Sequence, residues 1–70
     1  MFNYDPLWET MKRRGINQYQ LIHKYNLSTG TLDSLRQNRS ITMNTLDMIC
    51  QILDCQASDV VKIEQDKDIE

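Results

Sequence analysis

Cysteine and histidine are scarce in this chain: Cys50, Cys55 and His23 are all it has. A zinc site wants about four such ligands at recognisable spacings. No metal is therefore expected, and the two cysteines read as small apolar residues in a reducing compartment. No apolar run approaches the roughly 20 residues of a membrane span. The opening "MFNYDPLW" lacks the basic patch ahead of an apolar stretch that marks a secretory signal. A cytoplasmic protein with no membrane contact is the expectation. Catalytic groups are missing as well. No nucleophile comes with a base, no Gly-rich loop precedes a helix, and neighbouring carboxylates occur only in the acidic C-terminal stretch. Neither an enzyme nor a cofactor or small-molecule site is expected.

What is present suits one small domain. Seventy residues set one domain as the ceiling and allow only a modest core. The content, 40% hydrophobic and 26% charged, is ordinary for a globular chain. The net charge of −2 argues at first against a polyanionic partner. Its distribution argues the other way. Residues 12–40 hold Lys12, Arg13, Arg14, Lys24, Arg36 and Arg39 against Asp33 alone, while residues 41–70 hold seven acids against Lys62 and Lys67. The local field, rather than the total, is what an approaching polyanion meets.

Capping signals divide the chain. Asp5 before Pro6 predicts a first helix over 6–14, capped by Asp5 and closed by Gly15, with Lys12, Arg13 and Arg14 at the negative end of its dipole. Asn17 and Gln20 have capping-box spacing and open a second helix over 18–25, which Asn26 can end in a left-handed conformation. Leu27 sits in the corner. Ser28 caps a third helix over 29–37, with Leu32 and Leu35 facing inward. Thr42 caps a fourth helix running to 53, with Met43, Leu46, Ile49, Cys50 and Leu53 as its apolar set and Asp54 at its end. Ser58 and Asp59 suggest a short fifth helix with Val60 and Val61. "KIEQDKDIE" reads as an acidic tail, frayed or forming an edge strand with "MFNY".

Two short helices joined at a three-residue corner make a helix-turn-helix. Leu21, Leu27, Leu32 and Leu35 would fix the crossing angle, leaving a third helix slim enough for a major groove about 12 Å wide. Gly30 carries a cost of about 0.5–1 kcal/mol against Ala inside a helix, which a close approach to DNA would explain.

On the "NQYQL" opening, the "NLS" corner, "TLDSLRQN" and "ITMNTLDMICQILDC", residues 4–61 resemble the lambda-repressor-like, Cro/CI-type (XRE) helix-turn-helix transcription regulators. The small free-standing bacterial members are the nearest in kind. The resemblance implies an all-α, compact five-helix domain over 4–62, followed by an acidic tail over 63–70, with the helix-turn-helix at helices 2 and 3. It implies that Gln18 grips a phosphate and braces the reader. Thr29, Gly30 and Ser34 would face base edges with Thr31 and Asp33 beside them, and Gln37, Asn38 and Arg39 would touch the backbone. Arg36 joins these as a phosphate contact, with Lys24 a weaker candidate. Asn26 and Asn38 stand where many members carry Gly, and Asn is the next best residue there.

The reader lacks the long amides and arginines that make bidentate base contacts, so specificity is expected to draw on DNA shape as well. Taken together, a sequence-specific regulator of transcription is expected, most simply a homodimeric repressor on a two-fold double-stranded operator. Its dimer surface would lie on helix 4, helix 5 or the tail. The rival is a protein-interaction module of antitoxin or anti-repressor type acting through the acidic tail, since fold alone does not fix function.

Overall fold

The computed structural model describes residues 1–65. In chain order it holds β1 (Phe2–Asn3), α1 (Asp5–Arg14), α2 (Gln18–His23), α3 (Thr29–Arg36), α4 (Met43–Leu53), a 3-10 turn (Ala57–Asp59) and β2 (Lys62–Ile63). None of these helices is long and apolar enough to cross a membrane.

Local chemistry sets most of the boundaries. Asn17 and Gln20 exchange a full capping box: the Asn17 Oδ1 accepts the Gln20 N–H at 2.8 Å, and the Gln20 Oε1 accepts the Asn17 N–H at 2.9 Å. Ser28 accepts from the Thr31 N–H, and Thr42 from the Thr45 N–H, each at 3.1 Å. The helix exits share a device. Gly15, Asn38 and Asp54 take left-handed backbone at φ +68, +56 and +51. The next residue then reaches back five positions, Ile16 to Met11, Arg39 to Ser34 and Cys55 to Cys50. This satisfies carbonyls that the helix end would otherwise orphan. Asn26, at φ +60, turns the corner between α2 and α3, and Leu27 bonds back to the Leu21 carbonyl at 2.8 Å.

One buried cluster joins the helices. Tyr4, Leu7 and Met11 meet Leu21, Leu27, Leu32 and Leu35, with Ile49, Leu53 and Val60 completing it. Thr10 is the buried polar member, and its hydroxyl donates to the Asp59 carbonyl at 2.7 Å. Burial of a Leu or Ile side chain stabilises by about 1.5–3 kcal/mol, so these few side chains decide whether so small a chain folds.

Several expectations are corrected. The domain is not strictly all-α and not five-helical: four α-helices are joined by a two-stranded antiparallel sheet pairing Phe2 with Ile63 and Asn3 with Lys62. The expected fifth helix is a single 3-10 turn. The Asp59 carbonyl, which would carry a helix onward, is taken by Thr10, and the chain then extends from buried Val60 into β2. The pairing of the tail's start with "MFNY" is the alternative that formed, while residues 66–70 of the expected tail lie outside the described residues. Asp5 does not cap α1; it is the first helical residue, Tyr4 holds the cap position, and the Asn3 side chain accepts the Asp5 N–H at 3.1 Å. α2 ends at His23 and α3 at Arg36, one to two residues sooner than read, because Asn26 and Asn38 need room to reverse the chain. Met43, read as part of the apolar set, is 76% exposed on the first turn of α4.

Candidate nucleic-acid interface

α3 is anchored from below and open above. Leu32 and Leu35 are buried at 1% and 0% exposure, as is Leu27 in the corner before them. Thr29, Gly30 and Asp33 are exposed on the outer side, followed by Arg36, Gln37, Asn38 and Arg39, also exposed. Thr31 and Ser34 are half-buried. They line a shallow cleft of about 400 Å³ with Gly30 and, across it, Ser40, Thr42 and Thr45. The Thr29 and Ser34 hydroxyls have no hydrogen-bond partner among the described residues, whereas the Thr31 hydroxyl accepts from the Ser28 hydroxyl at 2.7 Å. A Cβ built on Gly30 would meet no atom within 4 Å, so packing within the chain does not require glycine there.

The polar residues around this face are tied to one another in ways that sequence spacing does not reveal. The Gln18 Oε1 accepts two bonds from Arg36, from Nε at 2.9 Å and Nη2 at 2.6 Å. Gln18 thus braces α3 through Arg36, and its own amide N–H groups are left to donate outward. Gln37 donates to the Asp33 carboxylate at 2.9 Å, one turn apart on α3. The expected backbone contact Gln37 is therefore bonded to Asp33, expected to flank the base-facing residues. Asn38 has its Oδ1 accepting the Tyr4 N–H at 3.2 Å. The Tyr4 hydroxyl donates to the Arg39 carbonyl. The loop leaving α3 is pinned to the buried Tyr4, and the Arg39 guanidinium has neither a hydrogen bond nor an ion pair among the described residues.

The other cations divide by position. Arg14 donates to the Asp54 carbonyl at 2.9 Å, the exit of α4. Arg13 bonds Thr10 at 3.0 Å and lies 3.9 Å from Asp59. Both serve the side of α1 that meets α4 and the 3-10 turn. The Lys24 ammonium lies 5.5 Å over the Tyr25 ring. Lys12, in the last turn of α1 where a cation suits the helix dipole, also lines a hollow with Asn17 and Gln18. Sequence reasoning missed Lys12, Ser40, Thr42 and Thr45 here. For Thr42 and Thr45 the capping pattern of α4 was a signal, since it fixes where that helix begins beside α3.

A buried seam beneath a narrow polar helix, set by a capped corner against a second short helix, is the geometry of a groove reader. The family profile of the Cro/C1-type HTH DNA-binding domain matches residues 6–66. The chain belongs to the Cro/C1-type helix-turn-helix DNA-binding family. No curated protein matches it. Among solved structures, the crystal structure of the transcriptional regulator VanUg (Form II) superposes with a TM-score of 0.83 at 23% identity, over 93% of this chain and 87% of that one. That likeness is one of fold. The Cro/C1-type match runs from the second residue of α1 through β2, so the sheet-forming segment after the 3-10 turn falls within the matched region.

Proposed function

We propose that the chain is a sequence-specific double-stranded-DNA-binding regulator of transcription, acting as a repressor, with α3 in the major groove. The observation that carries this is the outer face of α3: Thr29 and Gly30 are exposed, the Thr29 and half-buried Ser34 hydroxyls have no hydrogen-bond partner among the described residues, and the helix beneath them is locked by Leu27, Leu32 and Leu35. Thr29 and Ser34 hydroxyls read base edges or touch a thymine methyl. Thr31 and the Asp33–Gln37 pair flank them; the Gln37 amide on the carboxylate leaves the pair able to accept from a cytosine amine. Gln18, Arg36, Asn38 and Arg39 hold phosphates and so set the register.

A single copy covers a short half-site. The working unit is a homodimer on a two-fold operator with half-sites about 34–36 Å apart.

The test is a salt titration on duplex DNA with the wild-type chain and two variants. Affinity should fall by roughly 0.9 log units per log unit of salt for each phosphate neutralised. Arg39→Ala should weaken all duplexes alike and reduce that slope by about 1, whereas Thr29→Ala or Ser34→Ala should change which sequences are preferred. A folded chain with no duplex binding at any salt would overturn the proposal in favour of the interaction module.

A further inference from the structure

The two-stranded sheet leaves one edge open, and its register fixes which groups that edge presents. Met1 and Glu64 exchange both backbone bonds, with Glu64 N–H to Met1 carbonyl at 2.8 Å and the Met1 amino group to the Glu64 carbonyl at 3.3 Å. In an antiparallel pair, bonded and non-bonded positions alternate. Phe2 and Ile63 are therefore the non-bonded pair, and the N–H and carbonyl of Ile63 point away from β1. Neither has a hydrogen-bond partner among the described residues.

The opposite edge, on β1, is less open. It faces the exit of α3, where Met1, Phe2 and Asn3 border a hollow with Gln37 and Asn38. An incoming strand on β1 would meet that loop; one on β2 would not.

The residues of β2 complement themselves. An antiparallel copy centred on Ile63 sets Ile63 opposite Ile63 and Lys62 opposite Glu64, twice. The centre is a bonded pair, which the outward N–H and carbonyl of Ile63 require. The Lys62–Glu64 positions are then non-bonded pairs, where side chains sit closest. Within one copy Lys62 and Glu64 are 3.6 Å apart and both more than half exposed, so the charges are present on one face and available. The Ile63 side chain is 75% exposed beside a hollow of about 190 Å³ lined by Phe2, Ile41, Met43, Leu46 and Val61. An exposed Ile on an open strand edge, next to exposed Met43, is a surface that calls for cover.

We propose that β2 is the self-association edge of this protein: two copies pair β2 to β2 about a two-fold axis through Ile63, making one four-stranded sheet. The inference deepens the homodimer of the proposed function and rests on that reading for its purpose, though not for its geometry. The dyad of an antiparallel pair stands perpendicular to the sheet, so both α3 helices lie at the same height along it. β1 lies between β2 and the exit of α3 in each copy, which puts the two reading helices on the outside.

Sedimentation velocity of the full chain without DNA tests it. Wild type is expected to dimerise with rising concentration. Lys62→Glu sets Glu against Glu across the dyad, and Glu64→Lys sets Lys against Lys. Each should weaken the dimer by about tenfold, two pairs turning from attraction to repulsion. Mixing the two variants should restore association as a heterodimer, and the double variant Lys62→Glu/Glu64→Lys should restore it in one chain. Circular dichroism confirms that each variant is folded.

A wild-type chain that stays monomeric, or single variants that dimerise as well as wild type, or a loss that mixing does not recover, would overturn the pairing. Duplex binding by the same samples separates the two claims. A monomer that binds duplex sinks the strand pairing and leaves the groove reading standing. A dimer rescued by charge exchange that binds no duplex supports the pairing and sinks the groove reading.

Discussion

Gly30→Ala sets stability and function in opposition. Gly30 lies in the first turn of α3, is exposed, and is not one of the residues with left-handed backbone. A Cβ there meets nothing within 4 Å. Replacing Gly by Ala at a compatible helical position stabilises by about 0.5–1 kcal/mol, through lower backbone entropy of the unfolded chain and better helix propensity. For so short a chain the denaturant slope is about 1 kcal/mol per M of urea. The midpoint should therefore rise by about 0.5–1 M. Trp8 is the one tryptophan and packs half-buried against the core, so its fluorescence follows the transition. Duplex binding should move the other way. If α3 approaches the groove at Gly30, an added methyl group at a close-packed contact costs about 1–3 kcal/mol, a loss of roughly fivefold to 150-fold in affinity. A lower urea midpoint would mean that the chain itself needs glycine there. An unchanged affinity with a raised midpoint would mean that this side of α3 is not against DNA. Either result refutes the reasoning.

Two further outcomes follow from the same geometry. Tyr4→Phe keeps the buried ring and deletes only the hydroxyl that donates to the Arg39 carbonyl; it should cost about 1–3 kcal/mol in urea unfolding and weaken all duplexes alike, and no change in either would show that the pin is absent. Burial pushes the Cys50 and Cys55 thiols above their ordinary value of 9.0 and the Tyr4 phenol above 10.0, so the folded chain keeps protons that the unfolded chain releases. Stability is then full below the unfolded thiol value and falls as pH rises past 9.0 and again past 10.0. Urea midpoints from pH 7 to 11 check the direction, with Cys50→Ala/Cys55→Ala flattening the first step; stability flat or rising over that range would be the contrary result.

Helix ends were the legible part of this chain, and the reason is distance along it. A cap is a bond between residues three or so apart, so Asn17 with Gln20, Ser28 with Thr31, and the left-handed Asn26 are readable from short strings, while Asn38 came from the family resemblance. The buried helical leucines followed from period, and Leu27 from its place in the corner. What could not be read joins residues far apart. Thr10 meets Asp59 across 49 positions, and that one bond helps turn an expected helix into a 3-10 turn. Tyr4 meets Asn38 and Arg39 across 34 and 35 positions, so an aromatic near the start of the chain braces the exit of the reading helix. Gln18 and Arg36 are 18 apart. Their partnership depends on the crossing angle of α2 and α3, which period does not specify. Residue types at the proposed interface were legible; the bonds that orient them were not.

The basic middle of the sequence is smaller, seen from DNA, than its sum suggests. Arg13 and Arg14 are committed to Thr10, Asp59 and the Asp54 carbonyl, around the side of α1 that meets α4. Lys24 lies against the Tyr25 ring. The cations around α3 and the start of α2 are Lys12, Arg36 and Arg39, and Gln18 holds Arg36 in place. If Lys12 joins Arg36 and Arg39 on the phosphates, three neutralised charges give a salt slope of about −2.7 for one copy, and about −5.4 for two copies acting together. Asp33 subtracts from this field, because the Gln37 amide that donates to its carboxylate is neutral and leaves the negative charge in place. One copy covers only a short half-site, so its binding at physiological salt is expected to be weak. In the proposed dimer a second copy doubles the electrostatic term and adds a second set of base contacts, which is what the proposed β2 edge would supply to the proposed α3 reader. A slope near −2.7 for a chain shown to bind as a dimer would break that chain of reasoning at the assignment of the phosphate-facing cations.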